Sequence, residues 1–171
     1  MFVDETSTNI AMTRRFARAP RGKRAYGKIP RNHGKPTTLV AALGLEGLGA
    51  AMTILGAIDT LAFEVYVRDL LCPTLKFGQI VVLDNLSVHK AAVIREHIEA
   101  AGCQLFFLPP YSPDLNPIEL AFSKLKTALR KAAARTQETL DEAISKALDL
   151  VIAEDALGWF HHCGYLTTSP T

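Results

Sequence analysis

The order of apolar and polar positions along the chain predicts alternating strands and helices. Residues 1–6 are apolar and then acidic, which is typical of a strand that ends in carboxylates. Residues 9–36 are basic and rich in Gly and Pro, a composition that favours a long loop or irregular strands. Residues 37–45 and 48–58 are apolar runs on either side of a Glu-Gly pair, so they predict a β-hairpin.

The middle of the chain predicts a helix followed by two short strands. Asp59 or Thr60 can cap a helix that ends at Pro73. The apolar residues of this helix recur at helical spacing: Phe63, Tyr66, Val67, Leu70 and Leu71. Residues 79–83 and 103–108 are almost continuous apolar runs, and such runs are typical of strands buried on both faces.

Two further helices flank the second of these strands. Residues 89–101 predict a helix that stops at Gly102. One face of it holds Ile94, His97, Ile98 and Ala101. After a Pro-rich elbow at residues 109–113, Asn116 as N-cap and Pro117 at the first position begin the next helix. Its apolar stripe is Ile118, Phe122, Leu125 and Leu129.

The last predicted helix starts near Thr136 or Thr139. Its inward residues are Leu140, Ile144, Leu148 and Val151. No internal repeat or linker divides the chain, so we predict one domain over residues 1–171. The order of elements predicts an α/β fold with a mixed sheet.

Composition excludes several classes of protein. With 49% hydrophobic and 21% charged residues, the chain is neither disordered nor fibrous. Its three cysteines (Cys72, Cys103 and Cys163) indicate a reducing compartment, because they are too few and too distant for a disulfide framework. Residues 39–58 are apolar enough to suggest a membrane span, but their glycines and Glu46 favour two buried strands instead.

The net charge of +2 is unevenly distributed along the chain. Residues 1–35 hold nine Lys and Arg against two acids, a net charge of +7. The remainder holds ten Lys and Arg against fifteen acids, a net charge of −5. All nine of these cations lie in residues 9–36, which we call the basic segment. A basic segment on an acidic body indicates an anionic partner. Charge alone leaves open the alternative that the segment is only a well-solvated loop.

Three acids occupy positions where ligands gather in α/β proteins. Asp4 ends the first predicted strand, Asp84 ends the strand at residues 79–83, and Glu119 lies in the first turn of a helix. Converging carboxylates repel one another unless cations lie between them, and hard oxygen ligands suit Mg²⁺ or Mn²⁺. Two such ions about 4 Å apart activate a water or hydroxyl group and stabilise the leaving oxygen in phosphodiester chemistry.

Each of these acids also has a structural alternative. Asp84 can cap a turn, and Glu5 competes with Asp4, although Asp4 shares the phase of the inward side of its strand. Glu119 can close a capping box with Asn116. Against that role, helical angles place Glu119 on one face with a hydroxyl and two cations: Ser123, Lys126 and Arg130.

Two long motifs resemble the catalytic core of DDE transposases. They are residues 82–90 (VLDNLSVHK) and residues 108–119 (LPPYSPDLNPIE), and they are most similar to the bacterial insertion-sequence branch of the Tc/mariner-like superfamily. Asp84 and Glu119 have 34 residues between them, which is the spacing of this branch. Residues 3–6 (VDET) and the basic segment behind them resemble the part of the family that bears its first Asp. The resemblance covers essentially the whole chain.

The resemblance implies an RNase H-like fold with a mixed five-stranded sheet flanked by helices. It implies that Asp4, Asp84 and Glu119 bind two Mg²⁺ (or Mn²⁺) ions and catalyse phosphodiester cleavage at transposon ends, followed by strand transfer into target DNA. Beside this triad we expect a set of cationic and polar residues to contact the DNA: Arg14, Arg15, Arg18, Arg21, Lys23, Arg24, Asn85, His89, Lys124, Lys126, Arg130 and Lys131. Supporting the catalytic site is the alternative role for Asn85 and His89, and for His89 a purely structural role at the start of a helix is equally open.

The resemblance also implies partners and a location. Complete members carry an N-terminal helix-turn-helix region, which we expect to be missing here, so a separately encoded helix-turn-helix product is one expected partner. A homodimer acting on paired DNA ends is another. The expected location is the bacterial cytoplasm, at the nucleoid when DNA is bound and without a membrane.

Other functional interpretations compete with a catalytic domain. The first is a truncated, non-catalytic DNA-binding or regulatory fragment of a transposase. The second is a generic RNase H-like nuclease, which the motif at residues 108–119 disfavours. A zinc site at His161, His162 and Cys163 is disfavoured because adjacent His side chains point in different directions. Trp159 and Phe160 are better explained as core residues or a partner surface than as a base-stacking platform.

Overall fold

Five strands form one mixed sheet in this computed structural model, which describes residues 1–86 and 92–165. They are β1 (Phe2–Thr8), β2 (Thr37–Gly44), β3 (Gly47–Leu55), β4 (Ile80–Leu83) and β5 (Gln104–Phe107). In spatial order the sheet is β3-β2-β1-β4-β5. Pairing is antiparallel from β3 to β1 and parallel from β1 to β5, which confirms the predicted mixed five-stranded sheet.

Helices cover both faces of this sheet in the described part of the chain. They are α1 (Thr60–Tyr66), α2 (Ala92–Ala100), α3 (Pro117–Ala132), α4 (Gln137–Leu148) and α5 (Ala153–His162). Side chains of α1 and α2 form one core with Val3, and side chains of α3, α4 and α5 form the other core with Phe2. None of the helices within residues 1–86 and 92–165 has the length and apolar character needed to cross a membrane.

Strand β1 lies at the centre of the sheet because both of its faces are apolar. Successive side chains of a strand point to opposite faces, and here Phe2 and Val3 are both almost fully buried, one in each core. Strand β1 pairs with β2 along all seven of its residues, from Phe2 opposite Leu43 to Thr8 opposite Thr37. It therefore runs two residues beyond the predicted end at Thr6.

Strands β4 and β5 are more exposed than the apolar runs predict. In the described residues, α3, α4 and α5 pack over β1, β2 and β3 rather than over β4 and β5. One face of the β4–β5 pair is consequently open, and Ile80 is 48% exposed and Phe106 52% exposed on it. The expectation of strands buried on both faces was wrong, because the helices of the described residues leave part of this face of β4 and β5 uncovered.

The helix after Asp59 begins as predicted but continues with a different geometry. The Asp59 side chain accepts a hydrogen bond from the Ala62 amide at 2.8 Å, which caps α1. The chain then passes through a π-helical turn, Val67–Leu71, and a 3₁₀ turn, Cys72–Thr74. Leu71 is fully buried but Leu70 is 38% exposed, so these two neighbouring apolar positions do not both face the core.

Helix α2 agrees with its prediction where the structure describes it. Ile94 and Ile98 are fully buried, and the helix ends before Gly102, whose φ of +75° stops it. The predicted start at His89 lies outside the described residues.

The sequence pattern did not predict helix α5. Thr136 caps α4 as predicted, and Val151 is buried just after that helix rather than within it. The chain then begins α5, in which the Asp155 carboxylate accepts a hydrogen bond from the Ile152 amide at 3.2 Å. The available signal was the pair Ala156 and Phe160, which are buried residues four positions apart.

One buried hydroxyl in the α1–α2 core has no partner among the described residues. The Tyr66 side chain is fully buried and its hydroxyl makes no hydrogen bond there. Burial raises the pKa of this phenol far above its usual range. A buried polar group without a partner costs about 1–3 kcal/mol.

We therefore expect Tyr66→Phe to raise the free energy of unfolding by about 1 kcal/mol, because Phe keeps the ring contact with Phe63 and removes the unpaired hydroxyl. Urea denaturation measures this change. The matched control is Tyr165→Phe, since the Tyr165 hydroxyl donates to the Leu115 carbonyl at 2.8 Å and its removal should lower stability. Equal losses in the two variants would show that the Tyr66 hydroxyl has a partner.

Candidate active site

A cavity of about 410 Å³ lies beside β1 and β4 and is lined by all three predicted acids. Asp4 comes from β1, Asp84 follows β4 directly, and Glu119 comes from the first turn of α3. Asn85 and the Pro-rich elbow complete much of the remaining wall. The structure thus brings together residues that are as much as 115 positions apart in the sequence.

The parallel register of β1 and β4 explains why two of the acids meet. Phe2 pairs with Val82 and Val3 pairs with Leu83. The next positions in this register are Asp4 and Asp84, where β4 ends while β1 continues along β2. Asp4 therefore lies in the middle of β1 rather than at its end, which corrects the predicted position without moving Asp4 from the pocket.

The elbow between β5 and α3 brings Glu119 to the same pocket. Tyr111 adopts a left-handed backbone conformation, with φ of +57°, and a 3₁₀ turn follows at Pro113–Leu115. Pro117 then begins α3, as predicted. Glu119 is exposed and lines the cavity together with the buried Asp4.

The structural alternatives for two of the acids can be compared with the contacts. The Asp84 carboxylate accepts a hydrogen bond from the Leu86 amide at 3.0 Å, so Asp84 shapes a turn and also lines the cavity. The Asn116 side chain makes no capping bond to α3, which removes the capping box proposed for Glu119. The expectation that Asn116 caps this helix through its side chain was therefore wrong.

Asp4 is the buried acid of the site. Burial, together with the charges of Asp84, Glu119 and Glu5, raises the pKa of Asp4 to about 7. A hydrogen bond from the Glu5 amide to Asp4 Oδ1 at 2.7 Å opposes this rise only in part. The pocket thus holds more negative charge than it can stabilise by itself. Asp4 lines the cavity and Glu5 does not, as the phase of the strand predicted.

The donor set suits a divalent cation, although the acids do not enclose one by themselves. Within residues 1–86 and 92–165, no group of three His, Cys, Asp or Glu side chains is close enough to hold a metal ion. Mg²⁺ is usually bound by one or two carboxylates, waters and substrate phosphates rather than by an all-protein cage. An open pocket of carboxylates with excess negative charge fits this mode of binding.

A group of cations includes one, Lys126, that interacts electrostatically with two acids of the pocket, Glu119 and Asp4. Burial lowers the pKa of Lys126, and the charges of Arg130 and Arg15 lower it further, while Glu119 opposes them. Burial and the charge of Arg15 likewise lower the pKa of Arg130. Arg15 of the basic segment is therefore near Lys126 and Arg130 of α3, and we call these three residues the cation cluster.

The other predicted DNA contacts lie in different surroundings. Five more of the predicted contacts belong to the basic segment, are exposed and lie outside helices and strands: Arg14, Arg18, Arg21, Lys23 and Arg24. Lys131 is exposed on α3, and Asn85 lines the cavity. Lys124 instead makes an ion pair with Asp155 of α5, which leaves it less available to a ligand. His89 lies outside the described residues.

The sequence did not predict a role for Arg135, which binds the backbone at the start of the basic segment. Its Nη1 atom donates to the carbonyl oxygens of Ile10 and Met12, both at 3.1 Å. The Ala11 side chain between them is buried. This contact fixes the segment beside the C-terminal end of α3 and so sets where Arg15 can lie. Only the structure shows it, because residues 10 and 135 are far apart in sequence.

The C-terminal His-His-Cys sequence forms no metal cluster in the described part of the chain. Cys163 is buried, and burial raises the pKa of its thiol. Phe160 lies in the core and Trp159 packs partly against it, which agrees with the core interpretation of both residues.

The family of the chain follows from a match between its sequence and a protein-family model. The model described as DDE superfamily endonuclease matches residues 1–141. The chain belongs to this family. None of the curated proteins searched matches it in sequence.

Solved structures with the same fold include several of Mos1 transposase. The Mos1 paired-end complex with the left transposon end matches with a TM-score of 0.74 at 20% identity, over 95% of this chain and 51% of that chain. The catalytic domain of Mos1 mariner transposase matches with a TM-score of 0.69 at 17% identity, over 95% and 76% of the two chains. A Mos1 paired-end complex with Mn matches with a TM-score of 0.71 at 18% identity.

These likenesses establish the fold of the DDE endonuclease described here. Its mixed sheet and flanking helices are those of the Mos1 catalytic domain, which confirms the predicted RNase H-like fold. The chain spans about half the length of the Mos1 chain in the paired-end complex. The activity and partners of a complete transposase are therefore a separate question.

The raised pKa of Asp4 predicts that the stability of this chain depends on pH. The unfolded chain loses the Asp4 proton near its ordinary pKa of 3.8, whereas the folded protein keeps it up to about pH 7. The unfolded state holds fewer protons between these values, so stability falls as the pH rises through this window. Between pH 5 and pH 8 the loss is on the order of 2–3 kcal/mol.

We expect Asp4→Asn to remove this part of the pH dependence, because the amide does not titrate. Urea denaturation of the EDTA-treated protein at pH 5 and pH 8 measures the effect. Glu5→Gln, on the opposite face of β1, is the matched control and should keep most of the fall in stability, because the charge of Glu5 is the smallest of the causes that raise the pKa of Asp4. Parallel pH profiles for the wild type and Asp4→Asn would contradict the raised pKa of Asp4.

Proposed function

We propose that this DDE endonuclease is the catalytic domain of a DNA transposase. It cleaves phosphodiester bonds at transposon ends in a metal-dependent reaction and transfers the freed strand into target DNA. The observation that carries the proposal is the meeting of Asp4, Asp84 and Glu119 in one cavity, in a chain of the DDE family. The Mos1 structures with transposon ends and with Mn support it by their likeness in fold.

The three acids would hold two Mg²⁺ (or Mn²⁺) ions. When bound, the ions would supply an activated water or hydroxyl nucleophile and stabilise the leaving oxygen, so that no covalent protein intermediate is needed. Asp4 would provide the buried ligand, held in place by its hydrogen bond from the Glu5 amide. Asp84 would be oriented by its turn with Leu86, and Glu119 would orient the attacking water at the exposed rim.

The cation cluster would hold the phosphates that flank the reacting bond. Three cations placed together repel one another. Burial lowers the pKa values of Lys126 and Arg130, and this repulsion lowers them further. A polyanion would relieve it, and Glu119 lies close enough to Lys126 to place such a phosphate near the acids. These contacts would position DNA without reading its sequence.

The exposed part of the basic segment would extend this surface. Arg14, Arg18 and Arg21 would meet the DNA backbone farther from the cavity, where their flexible side chains can follow the phosphates. The partners we propose are transposon-end DNA, target DNA, a second copy of the chain and a separately encoded helix-turn-helix product. The proposed location is the bacterial cytoplasm, on the nucleoid.

We expect Asp84→Asn to slow strand cleavage about a thousandfold or more, since metal stabilisation of the transition state is worth several kcal/mol and every 1.4 kcal/mol is tenfold. Nicking of a supercoiled plasmid in Mn²⁺ measures it. Asp114→Asn is the control, because Asp114 is exposed on the elbow and does not line the cavity.

Unchanged nicking by Asp84→Asn would contradict the assignment of the triad. Absence of nicking by the wild type, with Mn²⁺ bound, would instead favour the alternative of a truncated, non-catalytic transposase fragment. Efficient cleavage of an RNA–DNA hybrid by the wild type would favour a generic RNase H-like nuclease.

We expect replacement of the cation cluster by Gln (Arg15, Lys126 and Arg130 together) to weaken binding of duplex DNA. The slope of log affinity against log salt concentration should become shallower by up to about 3, at roughly 0.9 for each lost phosphate contact. Fluorescence anisotropy at several KCl concentrations measures the slope. The control replaces three exposed cations on other elements: Arg68, Lys76 and Lys146. Equal slopes for the two triple variants would place the DNA elsewhere.

A further inference from the structure

The side chain of Asn116 contacts the acid of the site that lies deepest in the protein. Its Nδ2 atom donates to Asp4 Oδ2 at 2.8 Å, and the two residues are 6% and 7% exposed. The two residues are 112 positions apart in sequence, so this bond joins the start of α3 to the centre of the sheet.

This contact takes the place of the role that the sequence predicts for Asn116. A residue at the N-cap position ordinarily accepts a hydrogen bond through its side chain from an amide in the first turn. Here the Glu119 amide donates to the backbone carbonyl of Asn116 at 3.2 Å, and the side chain makes no cap. Pro117 has no amide hydrogen to satisfy, which lowers the demand for a cap. The amide group of Asn116 is therefore free to serve Asp4.

The backbone around Asn116 is held in place from two sides. A residue before proline is restricted to extended conformations, and Asn116 has φ of −111° and ψ of +91°. On the other side, the Tyr165 hydroxyl donates to the Leu115 carbonyl at 2.8 Å, and the Tyr165 ring packs edge-on against Phe2 of β1. The Asn116 side chain thus starts from a fixed backbone position.

The two contacts together fix both oxygens of the Asp4 carboxylate. The Glu5 amide donates to Oδ1 at 2.7 Å and Asn116 donates to Oδ2 at 2.8 Å. Each carboxylate oxygen has two lone pairs, so both oxygens keep the capacity to bind a cation. Hydrogen-bond partners that orient a metal ligand in this way commonly change metal affinity 10- to 100-fold when they are removed.

We propose that Asn116 is a positioning residue that orients the Asp4 carboxylate for metal binding and links it to the helix that carries Glu119. This inference rests on the proposed function, because it assumes that Asp4 is a metal ligand. Asn116 acts through Asp4 and need not touch the DNA or the reacting atoms.

The test compares Asn116→Ser with the wild type. Serine is as favourable as asparagine at the N-cap position but is too short to reach Asp4, so the variant removes this contact without weakening the start of α3. Thr136→Ala, which removes the cap of α4 far from the cavity, is the control for a general loss of stability. Calorimetry of Mn²⁺ binding and urea denaturation in EDTA are measured for all three proteins.

We expect the Mn²⁺ dissociation constant of Asn116→Ser to rise about tenfold or more, while that of Thr136→Ala stays within about twofold of the wild type. Wild-type affinity in a folded Asn116→Ser protein would overturn this inference and leave the proposed function standing. Failure of the wild type itself to bind Mn²⁺ in the presence of duplex DNA, whose phosphates can complete the site, would overturn both, since no metal site would then exist to be oriented.

A measurement on the unmodified protein covers the case in which Asn116→Ser does not fold. The side-chain amide protons of Asn116 should exchange slowly with solvent, and their NMR signals should shift when Mg²⁺ is added. Fast exchange, or signals that do not move at saturating Mg²⁺, would overturn the proposal.

Discussion

Strand β1 pairs with β2 over its whole length, but it pairs with β4 only at Phe2 and Val3. The cavity lies where the pairing between β1 and β4 stops. This arrangement requires both faces of β1 to be apolar, which Phe2 and Val3 provide. It also forces the next residue, Asp4, into the interior beside Asp84. The rest of the site is built around this buried acid, since α3 reaches it through Asn116 and presents Glu119 at the rim.

The acids and the cation cluster each bring like charges together, which is electrostatically unfavourable, and Lys126 of the cluster interacts with Glu119 and Asp4 of the site. Burial is the largest cause of the raised pKa of Asp4 and of the lowered pKa values of Lys126 and Arg130, and repulsion among the carboxylates and among the cations adds to each shift. Neither group neutralises the other completely, because the acids line the cavity and the three cations do not. A phosphate with divalent cations would satisfy both at once, which is why the charge pattern favours a nucleic acid substrate.

The sequence predicted the parts of the molecule that depend on local patterns. The apolar runs predicted the strands, and Asp59 and Thr136 predicted two helix caps. The motifs around Asp84 and Glu119 predicted residues that line one cavity. It could not predict contacts between distant residues. Two such contacts are the hydrogen bond from Asn116 to Asp4 and the hydrogen bond from Arg135 to the Ile10 carbonyl. The exposure of Ile80 and Phe106 was missed for the same reason, because it depends on where three helices pack.

The hydrogen bond between Asp4 and Asn116 has a consequence for the order of folding. The β2–β3 hairpin closes a short loop, whereas this bond must bring together residues 112 positions apart, which costs more chain entropy and slows formation. The site is therefore complete only when β1 has joined both neighbours and α3 has docked. An ion that binds only the completed site would stabilise the native state over every partly folded one, so the carboxylates report on folding of the whole domain.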